Sequence, residues 1–307
     1  MSQLVVLGSV NADHVVQVPS FPRPGETLTA SGYQVIAGGK GANQAVAAAR
    51  LGADVAFIAC VGDDDFGLRV YKEYQALGMD ISGLMIVSDM TTGVAMIQVA
   101  DSGENSICIA PGANAALTPA LLAPHQHLIS KADILLMQLE TPLETIFSAA
   151  TMAKDADTLV VLNPAPAMEL ADELLAKVDI ITPNETEAEL LTGIKVDSID
   201  SAALAAAHLH AKGIATVMIT LGSKGVYVSE QGQGRQIAGF SVQVKDTTAA
   251  GDTFNAGVLT GLLQGKTLNE AIVFAHGAAA ISVSRFGAQT SIPLLAEVDA
   301  FLAEQVR

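Results

Sequence analysis

Short apolar runs alternate with helical stretches along most of the chain. Strands are predicted at 4–8, 54–62, 133–140, 158–163, 178–182 and 215–221. Helical stretches lie between them, the first from Asp63 to about Leu77. Regular alternation at this spacing predicts a mostly parallel sheet covered by helices on both faces, and right-handed crossovers make it doubly wound. The predicted fold class is therefore α/β.

Two segments break this alternation. Residues 14–36 and 93–109 contain short apolar strands joined by turns, with no helix between them. Because these strands are apolar on both faces, each needs cover on two sides. We predict one small antiparallel sheet, a lid with one face over a substrate and the other against a second subunit. The catalytic domain would then comprise 1–13, 37–92 and 110–307.

Polar side chains follow several predicted strands. Asn11 and Asp13 come after the first strand, and Glu140, Asn163 and Asn184 come after later ones. Ligands of open α/β sheets bind beyond the carboxyl ends of the strands, so we expect the later residues to collect on one rim and Asn11 and Asp13 to be candidates for contacting a polar substrate. An ordinary Asx turn is the alternative for Asn11 and Asp13.

A glycine-rich segment precedes an Ala-rich helix that Gly52 ends. Its sequence is Gly38-Gly39-Lys40-Gly41-Ala42-Asn43. Glycines at a helix start let the backbone approach a ligand closely, and Lys40 and Asn43 could hydrogen-bond sugar hydroxyls. The segment lacks the G-K-[ST] tripeptide of a Walker A loop. The alternative is a glycine turn needed only for helix packing.

A second small-residue segment leads into an apolar periodic run. The segment Asp246-Thr247-Thr248-Ala249-Ala250-Gly251-Asp252 predicts a loop and then a helix that begins at about Asp252. Free N–H groups at a helix start attract anions, so residues 249–252 could hold a transferring phosphoryl group. Asp252 could then take a proton from a hydroxyl beside that anion. The competing interpretation is that Asp252 only caps the helix.

Two further motifs follow later strands. Asn184-Glu185-Thr186-Glu187 is a capping-box pattern, although its carboxylates could also order waters around Mg²⁺. Thr220-Leu221-Gly222-Ser223-Lys224-Gly225 leads into a β-hairpin, and it suits either nucleotide phosphates or a simple loop. His276 lies near the apolar face of the helix after the capping box Thr267-Leu268-Asn269-Glu270. It is interpreted as a core histidine or as a contact for a purine ring.

Composition narrows the possible classes of function. The 307 residues carry a formal net charge of −16, which opposes binding to nucleic acid. The apolar runs are too short to span a membrane and the first residues lack a secretory-signal pattern, so we expect no membrane partner and a cytoplasmic location. Cys60 and Cys108 both lie in apolar runs and are expected to be buried free thiols.

Together these motifs resemble those of the ribokinase family of sugar kinases. The resemblance rests on Asn11-Ala12-Asp13 and on the segments at 38–43, 184–187, 220–225 and 249–252, whose order and separations match over essentially the whole chain. It implies an enzyme that transfers a phosphoryl group from ATP to O5 of D-ribose, giving D-ribose 5-phosphate and ADP. It also implies Mg²⁺, an activating K⁺ and a homodimer formed through the lid.

The resemblance further implies roles for individual residues. Asp252 would be the base, and backbone N–H groups of Ala249, Ala250, Gly251 and Asp252 would form an anion hole. The implied sugar ligands are Asn11, Asp13, Gly39, Lys40, Asn43, Glu140 and Asp252. The implied nucleotide site comprises Asn184, Thr220, Gly222, Ser223, Gly225, Gly251 and His276, with Glu187 acting indirectly on Mg²⁺. The implied monovalent-cation site comprises, mainly through backbone carbonyls, Asp246, Thr248, Ser282, Arg285, Gly287 and Ser291.

The sequence departs from the family pattern at two places. Ala249 stands where many relatives have glycine, and Thr248 stands where an aliphatic residue is frequent, yet neither change removes a catalytic group. One alternative function is a kinase for 2-deoxyribose or a nucleoside, although the implied contact of Asp13 with the 2-hydroxyl favours ribose. Another is a non-catalytic sugar sensor, against which the presence of Gly251 and Asp252 argues.

Overall fold

The structure is a computed structural model that describes residues 3–305. Its strands are β1 Gln3–Leu7, β2 Asn11–Val18, β3 Gly32–Gly38, β4 Asp54–Gly62, β5 Asp80–Val87, β6 Gly93–Ala100, β7 Asn105–Ala110, β8 Ile134–Met137, β9 Leu159–Leu162, β10 Ile180–Ile181, β11 Thr216–Thr220, β12 Val226–Glu230 and β13 Gln233–Ile237. Its α-helices are α1 Lys40–Arg50, α2 Asp65–Ala76, α3 Pro119–Leu122, α4 Gln126–Lys131, α5 Leu143–Asp155, α6 Asp172–Leu175, α7 Glu185–Thr192, α8 Ile199–His210, α9 Ala250–Leu263, α10 Leu268–Val283 and α11 Leu295–Gln305.

The larger sheet confirms the predicted doubly wound α/β fold. Its strand order is β13-β12-β11-β10-β9-β8-β1-β4-β5. The strands from β11 to β5 are parallel, and the hairpin of β12 and β13 is antiparallel. The chain passes from β1 outward to β4 and β5 on one side, and from β8 outward to β11 on the other. The strand order therefore reverses between β1 and β8, where open sheets of this kind bind ligands.

Alternating side chains on the strands build a separate apolar layer on each face of this sheet. On β1, Val5 and Leu7 join one buried cluster, whereas Leu4 and Val6 join the other. The first cluster includes residues of α4, α5, α7 and α8, and the second includes residues of α1, α2, α9 and α10. The helices are thereby fixed against the sheet. Their ends also follow sequence signals, because the capping boxes predicted at 184–187 and 267–270 are both formed.

The two segments predicted to form the lid join in one small sheet with the order β3-β2-β6-β7. Its hairpins, β2 with β3 and β6 with β7, are antiparallel, and only the central pair of β2 and β6 is parallel. Strand β2 begins at Asn11, so Asn11 and Asp13 belong to this sheet. The alternative of an Asx turn for these two residues is therefore wrong.

Two features differ from the sequence expectations. Strand β5, at one edge of the large sheet, was not predicted because Ser82 and Gly83 interrupt its apolar run. The expectation that both thiols are buried holds for Cys60 and is wrong for Cys108. Cys108 is exposed because it lies on β7, an edge strand whose residues are all exposed. None of the helices described combines the length and apolar character that crossing a membrane requires.

Candidate active site

Of the polar residues predicted at strand ends, Asp13, Glu140 and Asn163 lie around the point where the strand order reverses, whereas Asn184 lies farther along the sheet beside Thr220. Helices α1 and α9 both begin there, at Lys40 and Ala250. Asp252 lies buried in the first turn of α9, which begins two residues before the predicted position. Its Oδ2 accepts a hydrogen bond from Asn43 Nδ2 at 3.0 Å, and its Oδ1 accepts one from Gln44 Nε2 at 2.8 Å. Since both donors lie on α1, the interpretation of Asp252 as a simple helix cap is wrong.

Several carboxyl groups and one lysine surround this point. Burial, followed by the charges of Glu140 and Asp252, raises the pKa of Asp13 to about 7. Burial alone would lower the pKa of Lys40, but Asp252, Glu140, Glu187 and Asp13 together raise it above its usual value. Burial also raises the pKa of Glu187. Lys40 is therefore held in its charged form, as the cation of a strongly anionic centre.

Glu140 connects the end of β8 to the glycine-rich segment. Its Oε2 accepts hydrogen bonds from Ser9 Oγ at 2.5 Å and from the backbone N–H of Lys40 at 3.0 Å. The carboxylate thus lies at the N-terminus of α1, where free N–H groups favour negative charge. Gly39, just before the helix, has φ 89°, and a Cβ there would lie 2.8 Å from the backbone nitrogen of Asn11. Glycine is required at this crossing by both conformation and space.

A cavity of about 330 Å³ opens beside Asn11 and Glu140, and Ile109 of the small sheet lines it too. Asn114 Nδ2 donates to Asn11 Oδ1 at 2.8 Å, which leaves the amide nitrogen of Asn11 to donate to a ligand. Asn43 Oδ1 and Thr141 Oγ1 are buried without a hydrogen-bond partner within residues 3–305. Of the predicted sugar ligands, Asn11 and Glu140 line this cavity. Thr141 also lines it, and its unpaired hydroxyl is a polar group of the kind that a polyhydroxylated ligand satisfies.

A second cavity, of about 440 Å³, reaches the N-terminus of α9. The predicted residues that line it are Thr220, Gly222, Ser223, Gly225, Ala250, Gly251 and His276. Asn184 lies next to them, because it pairs with Thr220 in a β-bridge. The ring of His276 lies 5.1 Å from that of Phe254, and burial lowers the pKa of this histidine. The cavity thus offers glycine-rich backbone at one end and a neutral aromatic wall at the other.

One cavity reaches the N-terminus of α9 next to the buried Asp252, whose charge acts on Asp13, and the other is lined by Asn11 and Glu140. This arrangement suits an enzyme that brings a polar acceptor to an anionic donor. Residues 1–295 match the pfkB family of carbohydrate kinases. The chain belongs to this family. The resemblance read from the sequence motifs is thereby confirmed.

Individual relatives agree with this membership over almost their whole length. The ribokinase of Haemophilus influenzae is 57% identical, over 97% of this chain and 98% of its own. A deoxyribokinase of Salmonella typhimurium is 36% identical over 98% of each chain. The solved structure of Arabidopsis thaliana ribokinase complexed with ribose and ATP is 35% identical, with a TM-score of 0.92 over 98% of this chain and 99% of that one.

The acidic motif of this pfkB family member forms its capping box at the start of α7. Asn184 Oδ1 accepts from the N–H of Glu187 at 2.8 Å, and Glu187 Oε2 accepts from the N–H of Asn184 at 2.9 Å. Only one carboxylate oxygen of Glu187 is used in this way. Within the described range, no three His, Cys, Asp or Glu side chains are grouped as metal ligands. The residues therefore fit a magnesium ion held through water and nucleotide, and do not fit one held by protein ligands alone.

The residues predicted for a monovalent cation lie on the loop before α9 and on the end of α10 with the loop that follows it, and Asp246 joins these two segments. Asp246 Oδ1 accepts from Thr248 N and Oγ1, at 2.9 and 2.6 Å, and its Oδ2 accepts from the N–H of Gly287 at 2.9 Å. Burial alone would raise the pKa of Asp246, but these hydrogen bonds lower it. Ser282 and Ser291 share a buried hydrogen bond of 2.8 Å. The Arg285 side chain pairs with Glu297, which leaves only its backbone for such a site.

The structure also shows site residues that the sequence motifs did not mark. Gln138 is hydrogen-bonded to Gln44, which is hydrogen-bonded to Asp252. The segment 239–244 also lines the larger cavity, through Gly239, Phe240, Ser241, Val242 and Val244. Polar glutamines inside an Ala-rich helix and an apolar strand were a usable signal for the first pair. The irregular segment 239–244 carries no periodic pattern, so no sequence signal pointed to it.

Ala249, at the N-cap of α9, adopts a left-handed conformation with φ 59° and ψ 12°. This conformation costs an alanine roughly 1 kcal/mol relative to the usual helical region. A glycine at this position would avoid that cost. Alanine can therefore form the turn that exposes the first N–H groups of α9, but at a higher conformational cost than glycine.

Proposed function

We propose that the protein transfers the γ-phosphoryl group of ATP to O5 of D-ribose. The observation that carries this proposal is the position of Asp252. Its carboxylate lies at the start of α9 beside Ala250 and Gly251, which line the larger cavity. Its charge acts on the buried Asp13 together with that of Glu140, which lines the smaller cavity. The relatives named above as ribokinases support ribose as the acceptor.

In the proposed reaction, the sugar lies in the smaller cavity under the lid. Asn11, Asp13, Gly39, Lys40, Asn43 and Glu140 hold its hydroxyls. Asp252 takes the proton of the 5-hydroxyl as the O5–P bond forms, and the bond between the γ-phosphorus and its bridging oxygen breaks to release ADP. The N–H groups of residues 249–252 stabilise the charge that develops on the transferred group.

ATP would occupy the larger cavity against Asn184, Thr220, Gly222, Ser223, Gly225 and His276. Mg²⁺ bound with the nucleotide would neutralise phosphate charge, and Glu187 is the carboxylate best placed to bind its waters. The oxygen-rich loops around Asp246, Thr248, Ser282, Gly287 and Ser291, with the Arg285 backbone, suit a potassium ion. Because Asp246 ties these loops together just before the α9 N-terminus, an ion there would order the anion hole.

The position of phosphorylation can be read directly from the product. Incubation of the protein with ATP, Mg²⁺, K⁺ and D-ribose is expected to give a sugar whose C5 shows coupling to phosphorus in the carbon NMR spectrum. Phosphorus coupling at C1 would contradict the proposed acceptor oxygen. Absence of any phosphorylated sugar would contradict the proposed reaction.

Gly251 provides a test of the proposed anion hole that does not depend on folding. Apart from its chain neighbours and the backbone of its own helix, a Cβ at Gly251 would meet no atom of residues 3–305 within 4 Å, although this residue lines the larger cavity. Gly251→Ala is therefore expected to keep the melting temperature of the wild type. It is expected to lower kcat/KM for ATP about 10- to 100-fold, because the added methyl group displaces the phosphates. Unchanged ATP kinetics would contradict the anion hole.

We further propose that the small sheet forms a homodimer interface. Strand register places Tyr33, Met96 and Cys108 on the face opposite Asn11 and Asp13. Tyr33 is 64% and Met96 54% exposed, and large exposed apolar side chains grouped on one face are typical of interfaces. A cytoplasmic location stays a prediction consistent with the free thiols at Cys60 and Cys108.

Met96→Glu is expected to convert the dimer to a monomer, because it places a charge in the centre of the proposed interface. Sedimentation equilibrium measures the mass directly. Leu204→Glu is the matched control, since Leu204 is a 62% exposed apolar residue on α8, away from the small sheet. A wild-type protein that sediments as a monomer, or an M96E variant that stays dimeric, would contradict the proposed interface.

A further inference from the structure

We infer that Gln44, Gln138 and Asn163 form a positioning network that fixes the orientation of the Asp252 carboxylate. This inference rests on the proposed function, because it assigns these three amides to the base of the same reaction. Asn163 was noted in the sequence as a polar residue at a strand end, and none of the three was assigned as catalytic or as a ligand of the sugar. Gln44 and Gln138 are fully buried, and Asn163 is 7% exposed.

The network is a continuous chain of hydrogen bonds. Gln44 Nε2 donates to Asp252 Oδ1 at 2.8 Å and to Asn163 Oδ1 at 2.9 Å. Gln138 Nε2 donates to Gln44 Oε1 at 2.5 Å. Three elements far apart in sequence supply these amides, namely α1, the end of β8 and the end of β9. The carboxylate of Asp252 is thus connected to the sheet at the point where its strand order reverses.

The direction of every hydrogen bond in the chain is set at one end. Asn163 Nδ2 donates to the backbone carbonyl oxygen of Thr182 at 3.1 Å, and that carbonyl can only accept. Asn163 must therefore present its Oδ1 to Gln44, and Gln44 must present its Nε2. A flipped Gln44 amide would place an oxygen against both Asn163 Oδ1 and the Asp252 carboxylate. Gln138 reinforces the same orientation because it donates to Gln44 Oε1.

This fixed direction has a chemical consequence at Asp252. Its Oδ1 accepts from a buried amide that cannot turn away, so Oδ2, which faces Asn43, is the oxygen left to meet the acceptor hydroxyl. Asn43 also donates to Asp252, but within the described part of the chain no hydrogen bond to its own amide oxygen fixes its orientation. Its own Oδ1 is buried without a partner within residues 3–305, which suits the sugar contact proposed for it. Gln44 acts through Asp252, and Gln138 and Asn163 act through Gln44. None of the three acts on the sugar.

The experiment is the variant Gln44→Met, which keeps the length of the side chain and removes its hydrogen bonds. We expect kcat with D-ribose to fall about 10- to 100-fold, because outer contacts that orient a reacting group typically contribute that much. KM for D-ribose and KM for ATP are expected to stay near their wild-type values. Gln138→Met is expected to lower kcat in the same direction by a smaller factor, since it leaves the contact between Gln44 and Asp252 in place.

A double-mutant cycle separates positioning from general loss of structure. If Gln44 acts through Asp252, then in the Asp252→Asn background Gln44→Met should change the residual kcat by less than about twofold. A merely structural role would give the same loss in both backgrounds. Gln264→Met, at the far end of α9, is the matched control for replacing a hydrogen-bonded glutamine and is expected to keep wild-type kcat.

The outcomes distinguish this inference from the proposed function. A wild-type protein that does not phosphorylate D-ribose would contradict the function itself. An active wild type together with a folded Gln44→Met variant of unchanged kcat would contradict the positioning network alone. Equal losses in the wild-type and Asp252→Asn backgrounds would contradict it as well. If Gln44→Met does not fold, the same comparison with Gln138→Met decides the question.

Discussion

Replacement of Asp252 by asparagine is expected to lower kcat with D-ribose by about 10²- to 10⁴-fold, which is the usual contribution of a positioned general base. Asparagine keeps the shape of the side chain but cannot take the proton of the acceptor hydroxyl. It also presents an amide NH₂ to Asn43 Nδ2 or Gln44 Nε2, both of which donate to Asp252 in the wild type. Affinity for D-ribose is expected to change little, because the other sugar contacts stay in place.

Steady-state kinetics and calorimetric titration with D-ribose measure the two effects separately. Asp179→Asn is the matched control, since both carboxylate oxygens of Asp179 also accept hydrogen bonds, from Lys154 Nζ at 2.7 Å and from the N–H of Val160 at 2.8 Å. Asp179 directly precedes β10, so it lies at the N-terminal ends of the strands, whereas the site lies at their carboxyl ends. Near-normal turnover of the Asp252→Asn variant would contradict the assignment of the base.

Replacement of Asp13 by asparagine is expected to stabilise the free protein and to weaken its affinity for D-ribose. The pKa of this buried carboxyl rises from 3.8 to about 7 on folding. An acid with a higher pKa in the folded protein binds its proton more tightly when folded, so stability falls as pH rises from about 4 to 7. Asparagine cannot ionise and avoids this loss, which reaches at most about 4 kcal/mol above pH 7 at 1.36 kcal/mol per pKa unit.

The affinity should change in the opposite direction. Asp13→Asn removes a charged acceptor for a sugar hydroxyl. Because hydrogen bonds to charged groups are stronger than those to neutral groups, we expect the affinity for D-ribose to fall about 10- to 100-fold. Melting temperatures at pH 5 and pH 8, with and without D-ribose, measure both effects in one experiment. The variant should melt above the wild type at pH 8, with a smaller difference at pH 5. An Asp13→Asn variant that is less stable at pH 8, or that binds ribose as the wild type does, would contradict the account.

Much of the fold could be predicted because its signals are local. The apolar runs of the central strands, the capping boxes at 184–187 and 267–270, and the glycines before α1 each depend on neighbouring residues alone. The same holds for the position of Asp252 at a helix start and of Glu140 at a strand end. What each of these carboxylates contacts was not predictable, because its hydrogen-bond partners lie about 100 to 200 residues away.

The features that were missed depend on tertiary context. Strand β5 is held by its pairing with β4 rather than by its own pattern, and the exposure of Cys108 follows from the edge position of β7. The parallel pairing of β2 with β6 joins strands that have β3, α1, β4, α2 and β5 between them in the chain, so no turn specified this pairing. Gln44 became interpretable only when Asp252 and Gln138 were placed beside it. Sequence identified the reacting groups, and the structure identified what orients them.

The most direct test of the central claim is ADP release by the purified protein with ATP, Mg²⁺ and K⁺. The acceptors to compare are D-ribose, 2-deoxy-D-ribose, adenosine and no sugar. The account predicts rapid release with D-ribose, much slower release with the other two, and almost none without a sugar. A preference for 2-deoxyribose or adenosine would keep the kinase and overturn the acceptor. Binding of D-ribose without ADP release from any acceptor would contradict the kinase and indicate a sugar sensor.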